Sequence, residues 1–397
     1  MPDPCEVAAG PAAELVGIRR RPKDRKDQIV EAARQLIVAR GYRNVSMAEI
    51  AEAVGITAGA LYRHFANKAV LLGAVIDSSF DDAVAVTCQR ELTLPDVLAL
   101  ACEQAVTRRD TGALWWRESR YLERDTATRL RRRLRDNNRS YQALIEAQRP
   151  DLPAVQTQRL AWGVQSIMAS PSFHATKLPH ADFVALLTVA CRSLCAAELG
   201  PPAAELPRPR TAALEPVSKR ESLLAHAITL FERNGFDATS LNEIGMAAGV
   251  TGPNLYSYFA SKADILETAT ARGVSALWLL LNRVLRANDG AAQALHDLVR
   301  GYIELALERT VLASLLLSEQ QNIDDVTRNR QREYVAEWVA LLRASRPAVG
   351  EQAARVLVHT ALAVIHNMTH IGREQSDPTF ADDLAAMATA VLFSPTG

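Results

Sequence analysis

The 397-residue chain has few cysteines, no long apolar run, no excess of either charge and only 6% aromatic residues. Each shortage removes a class of protein. Cys5, Cys88, Cys102, Cys191 and Cys195 are scattered and lack CxxC spacing, which argues against a disulfide framework and against a zinc site. Cys191 and Cys195 share a helix face, an ordinary arrangement for buried cytosolic thiols. Apolar stretches such as Ala276 to Leu281 fall far short of the ~18 residues that a membrane span needs, so no membrane partner is expected. The first residues are rich in Pro, Asp and Ala, unlike a secretion signal, and a cytoplasmic location is expected. The 45 basic and 45 acidic residues cancel, so any footprint for a polyanion has to be local. Eight histidines are dispersed. His366 and His370 stand four apart, but no Glu follows His366 and no third ligand is evident, so no metal, cofactor or catalytic centre is expected.

What the chain does have is one unit written twice. Gly41, Ser46, Glu49, Ile50, Ala53, Gly55, Thr57, Leu61, Tyr62, Phe65, Ala66, Lys68, Ala69 and Leu72 all recur 194 residues later, without a gap. Between the copies, Gly200 to Arg210 and Pro216 form a proline-rich linker, because proline lacks the amide donor that a helix needs. Elsewhere apolar residues recur at three- and four-residue spacing, with no alternating strand pattern, so the fold class is all-α. The expected organisation is a basic N-terminal arm (1–22), a first three-helix head (23–72), a first helical bundle (73–199), the linker (200–218), a second head (219–266) and a second bundle (267–397). Each bundle closes with two apolar helices, near Arg159–Ser170 and Ala181–Leu199, and again near Arg355–His370 and Ala381–Phe393.

The heads carry the chemistry. Ile29, Ala33, Leu36 and Ile37 share one face of a first helix, which Gly41 ends as a left-handed C-cap. Ser46 and Glu49, repeated as Ser240 and Glu243, have capping-box spacing and open a second helix. A turn at Gly55 leads to Thr57, the N-cap of a third helix. The first turn of that helix holds only Ala58, Gly59 and Ala60, small enough for its end to sit deep in a major groove. Leu61 and Phe65 face inward, whereas Tyr62 and His64 reach phosphate oxygens and Arg63 is long enough for a guanine edge. Lys68, in the first turn of a fourth helix, joins the helix dipole in holding a phosphate. The second head offers Ser240, Thr251, Gly252, Pro253, Asn254, Tyr256, Ser257, Tyr258 and Lys262 at the matching places.

The run Gly55-Ile-Thr-Ala-Gly-Ala-Leu-Tyr-Arg-His-Phe-Ala-Asn-Lys68 resembles the DNA-binding signature of TetR/AcrR-family regulators. The second copy, Gly249 to Lys262, is similar but has Pro253 in place of Gly59 and Tyr258 in place of His64. The resemblance implies about nine helices per half, a DNA-binding head, middle helices around an inducer pocket and two final helices that pair in a four-helix bundle. With the tandem arrangement, the Arg19–Lys26 lead-in and the Leu114–Leu122 stretch, the chain is similar to double-headed repressors of actinobacterial mammalian-cell-entry (lipid-import) operons.

The heads differ in charge. From Arg19 to Lys68 there are eleven Lys/Arg against five Asp/Glu, but from Lys219 to Lys262 four against four, so the first head is expected to bind the tighter and with the steeper salt dependence. Arg19, Arg20, Arg21 and Lys23 can also reach an adjacent minor groove. The expected partner is a double-stranded DNA operator, read by a monomer whose halves form an intramolecular pseudo-two-fold. Trp115, Trp116, Arg120 and Tyr121 interleave rings and cations, as in a pocket for a lipid, a sterol-derived acid or an acyl-CoA. Such rings are more often core, with the arginines reaching water. The second half lacks that aromatic pair, and its pocket is expected to be the silent one. The rival reading is a helical ligand-binding or adaptor protein that does not touch DNA.

Overall fold

The computed structural model describes residues 25–87, 92–201, 216–250, 252–308, 323–371, 377 and 379–396. Among them every regular element is helical. The arm residues Arg19, Arg20, Arg21 and Lys23, Thr251 and the side chains of Gly252 and Pro253 lie outside the description, as do Cys5, Cys88 and most of the proline-rich linker. Two compact units emerge. One comprises the residues up to Ala161 with Pro171–Phe173, and the other Trp162–Ser170 with His174 onward.

In the first unit, α1 (Arg25–Arg40), α2 (Met47–Ala53) and α3 (Ala58–His64) form the head, and α4 (Lys68–Thr87) runs out of it. Ile29, Ala33, Ile37, Val45, Ile50, Leu61, Phe65, Leu71 and Leu72 bury together as its core. Gly41 ends α1 with its amide 2.7 Å from the Ile37 carbonyl, but its conformation is not the expected left-handed cap. At φ 80°, ψ 151° it lies in a region essentially closed to other residues, and Gly235 repeats it at φ 83°, ψ 155°. The chain therefore leaves each first helix by an extended step, not by another helical turn. Beyond the head, α5 (Leu94–Thr107), α6 (Thr111–Ala113), α7 (Arg124–Gln148) and the start of α8 (Ala154–Ala169) complete the unit. Two arginines of α7 pair with α4: Arg129 reaches Asp77 at 2.7 Å, and Arg133 reaches Asp77 and Asp81 at 2.5 Å each.

The second unit holds the rest of α8, α9 (His180–Cys195), the second head α10 (Lys219–Asn234), α11 (Leu241–Ala247) and α12 (Gly252–Leu255), and the helices α13 (Lys262–Ala287), α14 (Ala291–Glu308), α15 (Asp325–Ser345), α16 (Glu351–Ile371) and α17 (Phe380–Leu392). Its α16 is buried on every face through its middle, with Val356, Leu357, Val358, Ala361, Val364 and Ile365 fully covered, as befits a central helix. The first half's α9 packs on α17 and touches α16, so the closing helices of both halves share one interior. Phe183, Leu187, Ala190, Cys191 and Leu194 from α9, with Leu384, Met387, Ala388 and Val391 from α17, are buried there. Gly163 of α8 makes the close approach possible: a Cβ on it would lie 2.4 Å from Met387 Cε and 2.9 Å from a Leu194 methyl. A Ser170–Thr360 hydroxyl pair at 3.1 Å crosses the same seam.

Candidate nucleic-acid interface

Both capping boxes form. The Ser46 hydroxyl accepts from the Glu49 amide at 3.2 Å, and the Glu49 carboxylate accepts from the Ser46 amide at 2.7 Å. Ser240 and Glu243 repeat the two bonds at the same lengths. The Ser46 hydroxyl and amide, with Arg40 at 2.8 Å, hold the Glu49 carboxyl down at about 2. Thr57 caps α3 by accepting from the Ala60 amide at 3.2 Å. These local bonds fix the entry direction of α2 and α3, and hence the face that α3 turns outward.

That face has the composition of a groove reader. Leu61 and Phe65 are buried at 0% and 2% exposure, whereas Tyr62 is 51% exposed and Arg63 and His64 stand open. Ala58 and Gly59 are exposed, and a Cβ added at Gly59 would meet nothing within 4 Å. In the second head Leu255 and Phe259 are buried, while Asn254, Tyr256 (62%), Ser257 and Tyr258 (37%) are exposed. Its helix is one turn long, against seven residues in α3. It breaks into three-residue bonds from Ser257 to Asn254 and from Tyr258 to Leu255, and the Ser257 hydroxyl also takes the Asn254 carbonyl at 2.7 Å. The second exposed face is thus shorter and carries no long cation.

Lys68 and Lys262, expected to face phosphate, are engaged within the heads. The Lys68 ammonium sits 4.2 Å from the Tyr42 ring centre, and burial lowers its pKa. Lys262 donates to the carbonyls of Phe236 (2.6 Å), Thr239 (2.8 Å) and Asp237 (3.3 Å), and lies 4.4 Å from the Phe236 ring centre. An ammonium has three hydrogens, and those carbonyls use them. Lys262 therefore pins the turn between α10 and α11. The partner that the residue reading missed is the aromatic after each first-helix glycine, Tyr42 and Phe236, which holds the same place in both copies. A second cation–ring pair is also repeated, Lys26 over Phe65 at 5.7 Å and Arg220 over Phe259 at 4.5 Å.

The rings expected to line a pocket in the first half pack on the head instead. Leu114–Glu118 is a π turn and Ser119–Tyr121 a 3-10 turn, so the stretch is not one continuous α-helix. Trp115 lies 5.5 Å from Phe80, Tyr121 stacks on Tyr42 at 5.1 Å, and both rings join the head's core. Arg43 and Arg120 each lie 5.5 Å from the Tyr121 ring centre. Trp116 is half-buried. The physical reason is competition for apolar surface: a helix irregularity turns these rings toward α4 and the turn that follows α1, where contact with Phe80 and Tyr42 is available. Buried Glu118 completes the joint, its carboxyl pushed up by desolvation against the pull of Arg117.

The fold and these surfaces define a helical protein with two helix-turn-helix heads, each presenting an exposed short helix. Residues 29–75 and 223–269 each match the family described as bacterial regulatory proteins, tetR family, so the match occurs twice, once in each head. It is 36% identical over 85 residues to the HTH-type transcriptional regulator TtgR of Pseudomonas putida, covering 18% of this chain and 40% of TtgR. To the HTH-type transcriptional repressor KstR2 of Mycolicibacterium smegmatis it is 25% identical over 136 residues, 32% of this chain and 65% of that one. The chain thus spans about two fifths of TtgR's length, a relative that it matches through the head. Among solved structures, a TetR-family transcriptional regulator from Bordetella parapertussis 12822 aligns with a TM-score of 0.41 at 22% identity, over 44% of this chain and 93% of that one. Among the described residues no helix is long and apolar enough to cross a membrane, and no group of three or more His, Cys, Asp or Glu is arranged to hold a metal ion.

Proposed function

We propose that the chain is a sequence-specific DNA-binding transcriptional regulator, a repressor that reads a non-palindromic operator as a single-chain pseudo-dimer. The observation that carries this reading is the sidedness of α3: Leu61 and Phe65 are covered while Tyr62, Arg63 and His64 stand open on a small-residue end. In this reading Ala58, Gly59 and Ala60 enter the major groove, Arg63 reads a base edge, and Ser46, Thr57, Tyr62 and His64 bind phosphates. The second head contributes Ser240, Asn254, Tyr256, Ser257 and Tyr258, with no arginine among them, and so adds register more than discrimination. The packing of α9 on α17 supports the single-chain pairing, because it uses within one chain the helices that family homodimers use between chains. Two unequal readers on one chain call for two unequal half-sites. The regulated genes belong to lipid transport or metabolism, supported by the tandem arrangement with its Arg19–Lys26 lead-in and Leu114–Leu122 stretch, and a small lipid-like ligand releases the operator.

Footprinting on DNA upstream of the chain's own gene tests the reading. The expected result is one protected region with two unlike half-sites and stronger protection over one of them. A symmetric palindrome, or no protection of any duplex at low ionic strength, overturns it.

A further inference from the structure

The interior between α13, α14, α15 and α16 is aromatic and polar at once. Trp278 lies 6.0 Å from Tyr334, Tyr334 6.4 Å from Trp338, and Tyr302 5.7 Å from Trp338 and 5.5 Å from His366, ring centre to ring centre. The Tyr302 hydroxyl and His366 Nε2 share a hydrogen bond of 2.5 Å. Three neighbouring polar atoms complete none: Trp278 Nε1, the Tyr334 hydroxyl and Trp338 Nε1 are buried and make no hydrogen bond among the described residues. Tyr334 and Trp338 are covered to 2% and 0% exposure. The Trp338 N–H comes near enough to the Tyr334 oxygen to favour its phenolate slightly, yet burial dominates and the phenol keeps its hydrogen. A buried donor left unpaired costs more than a made bond returns, and native interiors hold few. Three around one set of rings call for an oxygen acceptor.

The charge state of the rings limits what can bring that oxygen. Burial holds His366 neutral down to about pH 3 and keeps the Tyr302 hydroxyl protonated, so these rings offer hydrogens and no net charge. A carboxylate moved in from water would lose its hydration without gaining a counter-charge from them. We infer that this cluster is a ligand site of the second half for a neutral, mainly apolar molecule bearing a carbonyl or hydroxyl oxygen. The oxygen, with two lone pairs, accepts from up to two of these three donors, and the rings flank the apolar body. The inference rests on the proposed regulator only for its consequence. The helix that carries Trp278 also begins at Lys262, whose ammonium pins the turn of the second head, so the site and that head share α13 across roughly 24 Å. In the first half Trp115 and Tyr121 pack on that half's own head.

Nuclear magnetic resonance of the indole N–H groups in the full chain reads the site directly, because the five tryptophans give five signals and Trp278→Phe and Trp338→Phe assign two of them. The probes are 2-acetylnaphthalene, a neutral ketone, and 2-naphthoate, its carboxylate counterpart of similar size. The ketone is expected to move the Trp278 and Trp338 signals and leave those of Trp115 and Trp116, while the carboxylate moves none. Tyr334→Phe is expected to weaken ketone binding about five-fold, with Tm unchanged or raised, since the hydroxyl has no bond to lose. Silence toward the ketone, equal binding of the carboxylate, or a marked fall in Tm for Tyr334→Phe overturns the site. Ketone binding that leaves duplex affinity unchanged retains the site and counts instead against ligand release in the proposed function.

Discussion

Gly163→Leu is the sharpest test of the seam where the closing helices of the two halves meet. A Cβ at this position would lie 2.4 Å from Met387 Cε and 2.9 and 3.1 Å from the two methyls of Leu194. Met387 can swing its methyl aside, and an alanine gains about 0.8–1 kcal/mol of helix propensity over glycine, so Gly163→Ala is expected to be near neutral. Leucine adds three further carbons against Leu194 and Met387, both fully buried, and overpacking of that kind costs about 1–3 kcal/mol. Less the propensity gain, a loss of up to about 2 kcal/mol remains, which lowers Tm by up to roughly 8 °C at about 2–4 °C per kcal/mol. Calorimetry at protein concentrations a hundred-fold apart, with light scattering on the same samples, makes the measurement. Because the seam lies within one chain, both proteins are expected to scatter as one 43.3 kDa chain, with a Tm that does not move on dilution. A Tm that climbs with concentration, or a doubled mass that the leucine variant halves, refutes the reasoning.

Arg63→Ala is expected to cost about 1–3 kcal/mol on the specific operator and little on random duplex, as read by competition binding; equal losses on both would remove Arg63 from base readout. Lys262→Met is expected to destabilise the second head by about 1.5–3 kcal/mol, through bonds from a charged donor to three carbonyls, and to leave the salt slope of duplex binding unchanged. A slope lower by about one unit with stability intact would restore Lys262 to the phosphate contacts. Burial, and then Arg355, hold His359 neutral to about pH 4, so the unfolded chain binds its proton first. The stability contributed by neutral His359 is therefore present above about pH 6.5 and lost as pH falls toward 4. The stability difference between wild type and His359→Gln is expected to shift in favour of the variant over that window, by urea unfolding, and a difference that ignores pH would contradict the assignment. Thr57→Ala removes the α3 cap and is expected to cost about 1 kcal/mol. Unchanged stability in that variant would show the cap to be dispensable.

Sequence alone determined what depends on neighbours three or four residues away. The duplicated heads, the Ser46–Glu49 and Ser240–Glu243 boxes, the Thr57 cap, and the inward Leu61 and Phe65 beside outward Tyr62 follow from helical periodicity and short-range hydrogen bonds. Even there ψ at Gly41 was beyond reach, because a glycine at positive φ suits both a helical cap and an extended exit. Tertiary structure decided whatever joins distant residues. Only folding brought the Lys262 ammonium onto the Phe236 and Thr239 carbonyls, turned Trp115 and Tyr121 into the first head's core, and gathered Trp278, Tyr334 and Trp338 from two separate helices. It also put α9 of one half against α17 of the other, which made α8 part of both compact units. Composition records how many rings and cations a chain has; which surface each ring covers, and which donors remain unpaired, is settled by competition for buried area and acceptors among residues far apart in the chain.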